Sequence, residues 1–155
     1  MKIFEVRYTE AIAKEFEPLL EAHWREIANY QSVIPLAVNW EAYRQADAGG
    51  KLVILTAREG DKLAGYSVFF VVRSPHYSSS VFGMNDVLYV RPEHRHGRAG
   101  VALIRESERV MKARGCVKIS WHVKERNADG SVNPLGAILR KMGYELEEVS
   151  LGKLL

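Results

Sequence analysis

Apolar and polar residues alternate from Lys2 to Tyr8, with Ile3, Glu5 and Arg7 opposite Phe4, Val6 and Tyr8. A period of two predicts a strand over 2–8. The period changes after Thr9, a side chain suited to an N-cap. Ile12, Phe16, Leu19, Leu20, His23 and Ile27 then recur at helical spacing, which predicts a long helix ending before Pro35. A second, short helix is predicted from Asn39 to Ala48, stopped by Gly49-Gly50. Residues 51–58 and 62–73 are rich in β-branched and aromatic side chains, and Glu59-Gly60-Asp61 between them predicts a hairpin turn. Residues 74–80 form a polar loop. Residues 81–90 predict the next strand, closed by Pro92.

Residues 91–100 make a basic, glycine-containing loop. Residues 101–114 predict a helix with Leu103, Ile104, Ser107, Val110 and Met111 on one face and Gly115 as its C-cap. A strand over 117–123, a polar loop over 124–133, a short helix over 134–142 and a last strand over 144–151 complete the order β, α, α, β, β, β, α, β, α, β. The strand–helix–strand unit between 81 and 123 implies a parallel crossover pair. The preceding strands imply antiparallel hairpins. The expected fold is a mixed α/β sheet with helices on both faces.

The 155 residues suit one domain, 1–155. Apolar residues at 47% and charged residues at 26% are the balance of a soluble globular chain. No apolar run is long enough to span a bilayer, and the first residues show no apolar signal region, so the expectation is a cytoplasmic protein with no membrane partner. The formal charge of +3 is dispersed. It favours an anionic cofactor or substrate and gives no case for nucleic acid. The single cysteine, Cys116, excludes an intrachain disulfide. It reads as a buried structural thiol, because no Cys-His signature surrounds it.

The segment Val87-Leu88-Tyr89-Val90-Arg91-Pro92-Glu93-His94-Arg95-His96-Gly97-Arg98-Ala99-Gly100 carries the chemistry. A strand runs into a loop with two glycines and then into a helix. Backbone N–H groups in such a loop converge on an anion, and the helix adds unpaired N–H groups and the positive end of its dipole. A pyrophosphate suits that arrangement. Gly97 and Gly100 allow close approach, and Arg95 and Arg98 offer charge-assisted contacts. A Walker loop and the dinucleotide fingerprint are both excluded by spacing.

This stretch resembles the acetyl-CoA loop of the GNAT acetyltransferases. In that superfamily a strand ending in V-x-P precedes Arg/Gln-x-x-Gly-x-Gly/Ala and a helix. Here Val90-x-Pro92 is followed by Arg95-His96-Gly97-Arg98-Ala99-Gly100, with Arg98 where the middle glycine is usual. Gly65-Tyr66 and Lys141-Met142-Gly143-Tyr144 match two further family features. The likeness covers nearly the whole chain and is similar also to compact members often carried by bacteriophages. It implies a sheet of 6–7 strands with about four helices, and transfer of an acetyl group from acetyl-CoA to a primary amine on a small molecule or a protein.

The resemblance also implies residue roles. The N–H groups of Leu88 and Val90 would hold the pantetheine arm and the acetyl carbonyl. Arg95, His96, Gly97, Arg98, Ala99 and Gly100 would hold the pyrophosphate. Asn127 and Asn133 compete for the family's asparagine. Asp86, His122 or a bound water would take the amine proton. The family's usual tyrosine acid falls on Leu139 and is therefore missing. Trp24, Tyr30, Trp40, Tyr43, His76 and Tyr77 would shape the acceptor site. Family members frequently form homodimers.

Two rival readings stand beside this one. His94, His96 and His122 supply three imidazoles for zinc, but at loose spacing and among arginines that repel a cation. The same fold can also serve as a non-catalytic module that binds CoA, a protein or nucleic acid.

Overall fold

The two most apolar strands of the chain pair at the middle of the sheet, where both their faces are covered. The computed structural model describes residues 1–155. In it β2 (Leu52–Glu59) and β3 (Lys62–Val72) are antiparallel, joined at Gly60-Asp61. Gly60 adopts φ +59°, the left-handed conformation that glycine takes without penalty. β1 (Lys2–Val6) is antiparallel to β2, and β4 (Phe82–Val90) is antiparallel to β3. β5 (Lys118–Ser120) is parallel to β4. The strand order is β1-β2-β3-β4-β5.

Helix starts follow the predicted caps. Thr9 Oγ1 accepts from the Ile12 N–H at 3.1 Å and opens α1 (Glu10–Ile27). Asn39 Oδ1 accepts from the Ala42 N–H at 3.1 Å and opens α2 (Trp40–Ala48). Phe16 and Leu19 of α1 pack with Leu52, Ile54, Tyr66, Val68, Val87 and Tyr89 on one face of the sheet, and Trp40 and Tyr43 of α2 join them. Burial of Phe16 and of Leu19 each contributes roughly 2 kcal/mol. α3 (Ala99–Ala113) covers the other face with Leu103, Val110 and Met111 against Val53, Leu55, Ala57 and Phe69. α4 (Leu135–Lys141) follows β5 and buries Leu139.

The mixed sheet between two helical layers and the four α-helices match expectation. The strand count does not: the sheet has five strands, not 6–7. Residues 144–151, expected as a last strand, have no regular structure, and 145–155 are all exposed. Their apolar side chains meet no sheet edge, so no ladder forms. β5 is shorter than the 117–123 predicted, and α1 ends at Ile27, well before Pro35, because Gln31 Nε2 donates to the carbonyls of Trp24, Arg25 and Ala28 and caps it. α3 begins at Ala99, two residues earlier than expected. Cys116 is only half-buried, with its thiol 3.8 Å from Met111 Sδ.

Gly65 brings β3 and β4 together. A Cβ there would lie 2.6 Å from the Tyr89 carbonyl oxygen and 3.1 Å from Val90 Cα, both backbone atoms. At Gly100 it would meet only Val90 Cγ2, at 3.9 Å. Gly65→Ala is therefore expected to cost about 2 kcal/mol and lower the melting temperature by roughly 5 °C. Gly100→Ala is expected to melt with the parent. Equal melting of all three proteins in calorimetry would contradict the contact.

Candidate active site

β4 and β5 stay paired for only three residue pairs, Phe82–Lys118, Gly83–Ile119 and Met84–Ser120. Beyond Met84 the two strands part, while β4 continues beside β3 to Val90. Peptide groups alternate in direction along a strand. The Arg91 N–H donates to the Ala64 carbonyl at 2.8 Å, toward β3. The N–H groups of Leu88 and Val90 therefore face the opposite edge, where β5 has left. Two backbone donors line an open gap, as a splayed strand pair provides.

Past Val90 the chain makes a short 3₁₀ turn at Pro92–His94 and enters α3. Arg98 precedes the helix with φ −96° and ψ 5°, and its side chain makes no cap. That conformation needs no glycine, so the departure from the family motif at Arg98 leaves the backbone path intact. The first i to i−4 bond of this helix runs from the Ala102 N–H to the Arg98 carbonyl. The N–H groups of His96, Arg98, Ala99, Gly100 and Val101 have no hydrogen-bond partner in the chain. Five free donors and the positive helix end point to an anion.

Arg95 does something other than expected. Its guanidinium forms a two-pronged pair with Glu26 at 2.6 and 2.7 Å, and its Nε donates to the Val90 carbonyl at 2.8 Å. It also lies over the Tyr89 ring, 5.4 Å from the centroid. Its backbone N–H donates to the Pro92 carbonyl. Arg95 thus ties the loop to the end of α1. The Ala128 N–H donates to the Glu26 carbonyl, which brings the 124–133 loop to the same place. Asn133 Oδ1 accepts from the Leu135 N–H and is spent on the start of α4. Asn127 Nδ2 bonds Ser131 Oγ, but Asn127 Oδ1 is buried and unpartnered.

Asp86 occupies a β-bulge. Val87 pairs with Val68 and Asn85 with Phe69, so Asp86 is the extra residue. A Cβ at Gly83 would meet Met111 on the α3 face, whereas Val87 and Tyr89 face α1. The bulge switches the faces of the strand. Asn85, 3% exposed, holds it: Nδ2 donates to the Val68 carbonyl at 3.3 Å and the Val87 carbonyl at 3.1 Å. Asp86 Oδ2 accepts from the Tyr43 hydroxyl at 2.6 Å. Burial, then this hydrogen bond and the charge of Asp86, raise the pKa of Tyr43 and keep it a neutral donor. Asp86 sits in a cleft otherwise lined by apolar and aromatic side chains, among them Tyr8, Phe16, Trp40, Tyr43 and Tyr66.

His122 lies two residues past Ser120, as Asp86 lies two past Met84, so both stand where the strands diverge. His122 is exposed and has no hydrogen-bond partner. Of the expected acceptor-site aromatics, Trp40 and Tyr43 line the cleft. Trp24, Tyr30, His76 and Tyr77 do not: Tyr77 is 65% exposed on a turn beside Phe82, and Trp24 and Tyr30 belong to the far end of α1 and the segment after it. Asn85, Tyr66 and Glu26 were not expected. An asparagine inside an apolar strand was the signal for the first; nothing local marks the Arg95–Glu26 pair, which is 69 residues apart in sequence.

The profile of the acetyltransferase (GNAT) family matches residues 10–131. No curated protein matches the sequence significantly. Among solved structures, an aminoglycoside acetyltransferase from an uncultured soil metagenomic sample superposes with a TM-score of 0.74 at 16% identity, over 99% of this chain and 97% of the other. A ribosomal-protein-alanine N-acetyltransferase from Brucella melitensis biovar Abortus 2308 gives 0.66 at 20% identity, over 100% and 99%. A glucosamine-6-phosphate N-acetyltransferase from Arabidopsis thaliana gives 0.67 at 13% identity, over 99% of each. At these identities the likeness is one of fold.

The His23 ring of α1 lies tilted at 41° to that of Tyr89, 5.2 Å between centroids, beside Arg95 and Glu26. Burial pushes its pKa from 6.5 down to about 4; Glu26 opposes the shift and Arg95 adds to it. Between those pH values the unfolded chain binds a proton that the folded chain does not. The contribution is intact above pH 6.5 and is lost as pH falls toward 4, by up to about 3 kcal/mol. His23→Gln is expected to flatten the stability–pH curve in that window, measured by urea titration. A slope equal to the parent's would contradict a buried neutral imidazole.

Proposed function

The chain belongs to the GNAT acetyltransferase family, and from that membership we propose that the gap between β4 and β5 is its acetyl-CoA site and that Asp86 is its base. The family transfers an acetyl group from acetyl-CoA to an amine, and this chain is an N-acetyltransferase. The observation that carries the site reading is the set of unpaired donors: Leu88 and Val90 on the open edge, and five N–H groups leading into an uncapped α3.

The residues present suit the cosubstrate. A pyrophosphate takes the free N–H groups at 96–101, and Gly97 and Gly100 place no Cβ in its way: their nearest neighbours would be His94 O at 3.6 Å and Val90 Cγ2 at 3.9 Å. Arg98 supplies a nearby cation. The Leu88 N–H would face the acetyl carbonyl and stabilise the charge that grows on its oxygen.

Acetyl-CoA supplies an electrophilic thioester carbonyl and a thiolate leaving group. The amine must first lose a proton, since an ordinary alkylammonium titrates near ~10.4. Asp86 would take that proton first and pass it to solvent; the neutral amine would then attack the carbonyl carbon, the N–C bond forming and the C–S bond breaking, and the second proton of the nitrogen would go to the departing thiolate or to solvent. Tyr43 orients the carboxylate through its 2.6 Å bond. Asp86 and Leu88 are two residues apart, roughly 7 Å along a strand, which spans the reacting amine and carbonyl. Leu139 stands where the family's tyrosine acid is usual and is only 4% exposed. A thiol with a pKa near ~8.5 leaves without a dedicated acid. No helix of this chain is long and apolar enough to cross a membrane, and dependence on acetyl-CoA favours the cytoplasm.

Gly100→Glu is expected to weaken acetyl-CoA binding more than about tenfold in calorimetry. A glutamate in the first turn favours helix α3, so the loss reports on the ligand and not on folding. Unchanged affinity would remove the loop from the site. Asp86→Asn is expected to lower kcat roughly 10²-fold near neutral pH, with the loss shrinking at high pH, where amines deprotonate unaided. A pH–rate profile like the parent's would take Asp86 out of the mechanism.

A further inference from the structure

The free donors of residues 96–101 bind an anion well only where the chain that carries them is already held in place. Past Arg91 the backbone bonds of this connection are local. The His94 N–H donates to the Arg91 carbonyl, that of Arg95 to Pro92 and that of Gly97 to His94. Such turn bonds shape a segment without locating it on the body of the protein. Side chains do that. Arg91 Nε donates to the Leu63 carbonyl of β3 at 2.8 Å and anchors the start. The His94 ring lies 3.7 Å from a Glu59 oxygen, beyond hydrogen-bond length. Arg95 anchors the middle, and its own anchor is Glu26.

The geometry at Glu26 leaves Arg95 one position. Both carboxylate oxygens accept from the guanidinium, at 2.6 and 2.7 Å. Nε, the third direction of the fork, reaches the Val90 carbonyl at 2.8 Å. The guanidinium lies over the Tyr89 ring. A planar fork held by three bonds and a ring is fixed as a flexible ammonium is not. Glu26 belongs to the last turns of α1, which packs on the sheet through Phe16 and Leu19, so the anchor is rigid. Its backbone carbonyl, not its side chain, receives the Ala128 N–H. A change of the Glu26 side chain therefore leaves that second tie in place.

Electrostatics alone gives no reason for an acidic residue here. A carboxylate near an anion site repels the ligand, and Arg95 merely offsets it. Glu26 serves position rather than attraction. We propose that Glu26 is a positioning residue for acetyl-CoA: acting through Arg95, it holds residues 96–101 where their N–H groups meet the pyrophosphate. The assignment rests on the acetyl-CoA reading above and adds to it a residue that lies 69 positions from the loop's arginine.

Charge-conserving variants separate position from attraction. Glu26→Asp keeps the carboxylate and shortens its reach by a methylene. Arg95→Lys keeps the cation and loses the fork. Acetyl-CoA binding to the parent, to both variants and to the double variant is measured by calorimetry, and melting is followed in parallel. Each single variant is expected to bind about tenfold more weakly. The double variant is expected to bind no more weakly than the poorer single one, because all three break the same contact. The two side chains are 38% and 30% exposed, so every variant is expected to melt within roughly 3 °C of the parent. Losses that add in the double variant would show that Glu26 does not act through Arg95 and would overturn the proposal. Unchanged affinity, or weaker binding that comes with a much larger fall in melting temperature, would reduce the pair to a structural contact and overturn it as well. A parent that fails to bind acetyl-CoA defeats the reading of the site, and this proposal with it; a parent that binds and variants that bind alike defeat the role of Glu26 alone.

Discussion

The parting of β4 from β5 after three residue pairs is the constraint on which the site depends. A parallel pair that continued to Val90 would spend the Leu88 and Val90 N–H groups on β5. Because Ser120 is the last paired residue of β5, those donors remain open, and the chain reaches the uncapped start of α3 just beyond them. Their freedom is stabilised indirectly. Arg95 holds the end of β4 by bonding the Val90 carbonyl and Glu26, so the strand stays in place with no β5 ladder beside it. The same Glu26 anchors the 124–133 loop through Ala128. One acidic residue at the end of α1 thus sets both sides of the gap.

The bulge at Asp86 gives β4 its second role. Upstream of it the strand turns Gly83 toward α3, and downstream it turns Val87 and Tyr89 toward α1. The extra residue places a carboxylate at the mouth of the α1–α2 cleft while the Leu88 and Val90 N–H groups face the open edge. Asn85 makes the bulge affordable inside the protein, because its amide serves two carbonyls. Tyr66, in contrast, has a buried hydroxyl with no partner in the chain.

Much of this was legible in the residues. Period two and period 3.6 located nearly every element up to α4, and Thr9 and Asn39 marked the caps. The loop from Val90 to Gly100 was legible as a connection into α3 with unpaired N–H groups, and Leu139 is buried in the core. What escaped has physical reasons. The strand expected over 144–151 was read from composition, but a strand exists only where an edge receives it. β5 was overestimated because Trp121, beyond its last paired residue, is apolar for packing against the α3-side core, not for pairing. The pairing of Arg95 with Glu26 was not legible because the two are distant in sequence. Asp86 was placed through a family likeness, and only the bulge and the 2.6 Å bond from Tyr43 explain why a carboxylate stands there.

Amide exchange at two residues tests the central claim most directly. By hydrogen exchange read with NMR, the Leu88 and Val90 N–H groups should exchange readily in the free protein while that of Tyr89, bonded toward β3, is protected. Acetyl-CoA should slow both open amides at once. Protection of Leu88 and Val90 already present without ligand, or exchange unaltered when acetyl-CoA is bound, would contradict an open β4 edge that receives the cosubstrate.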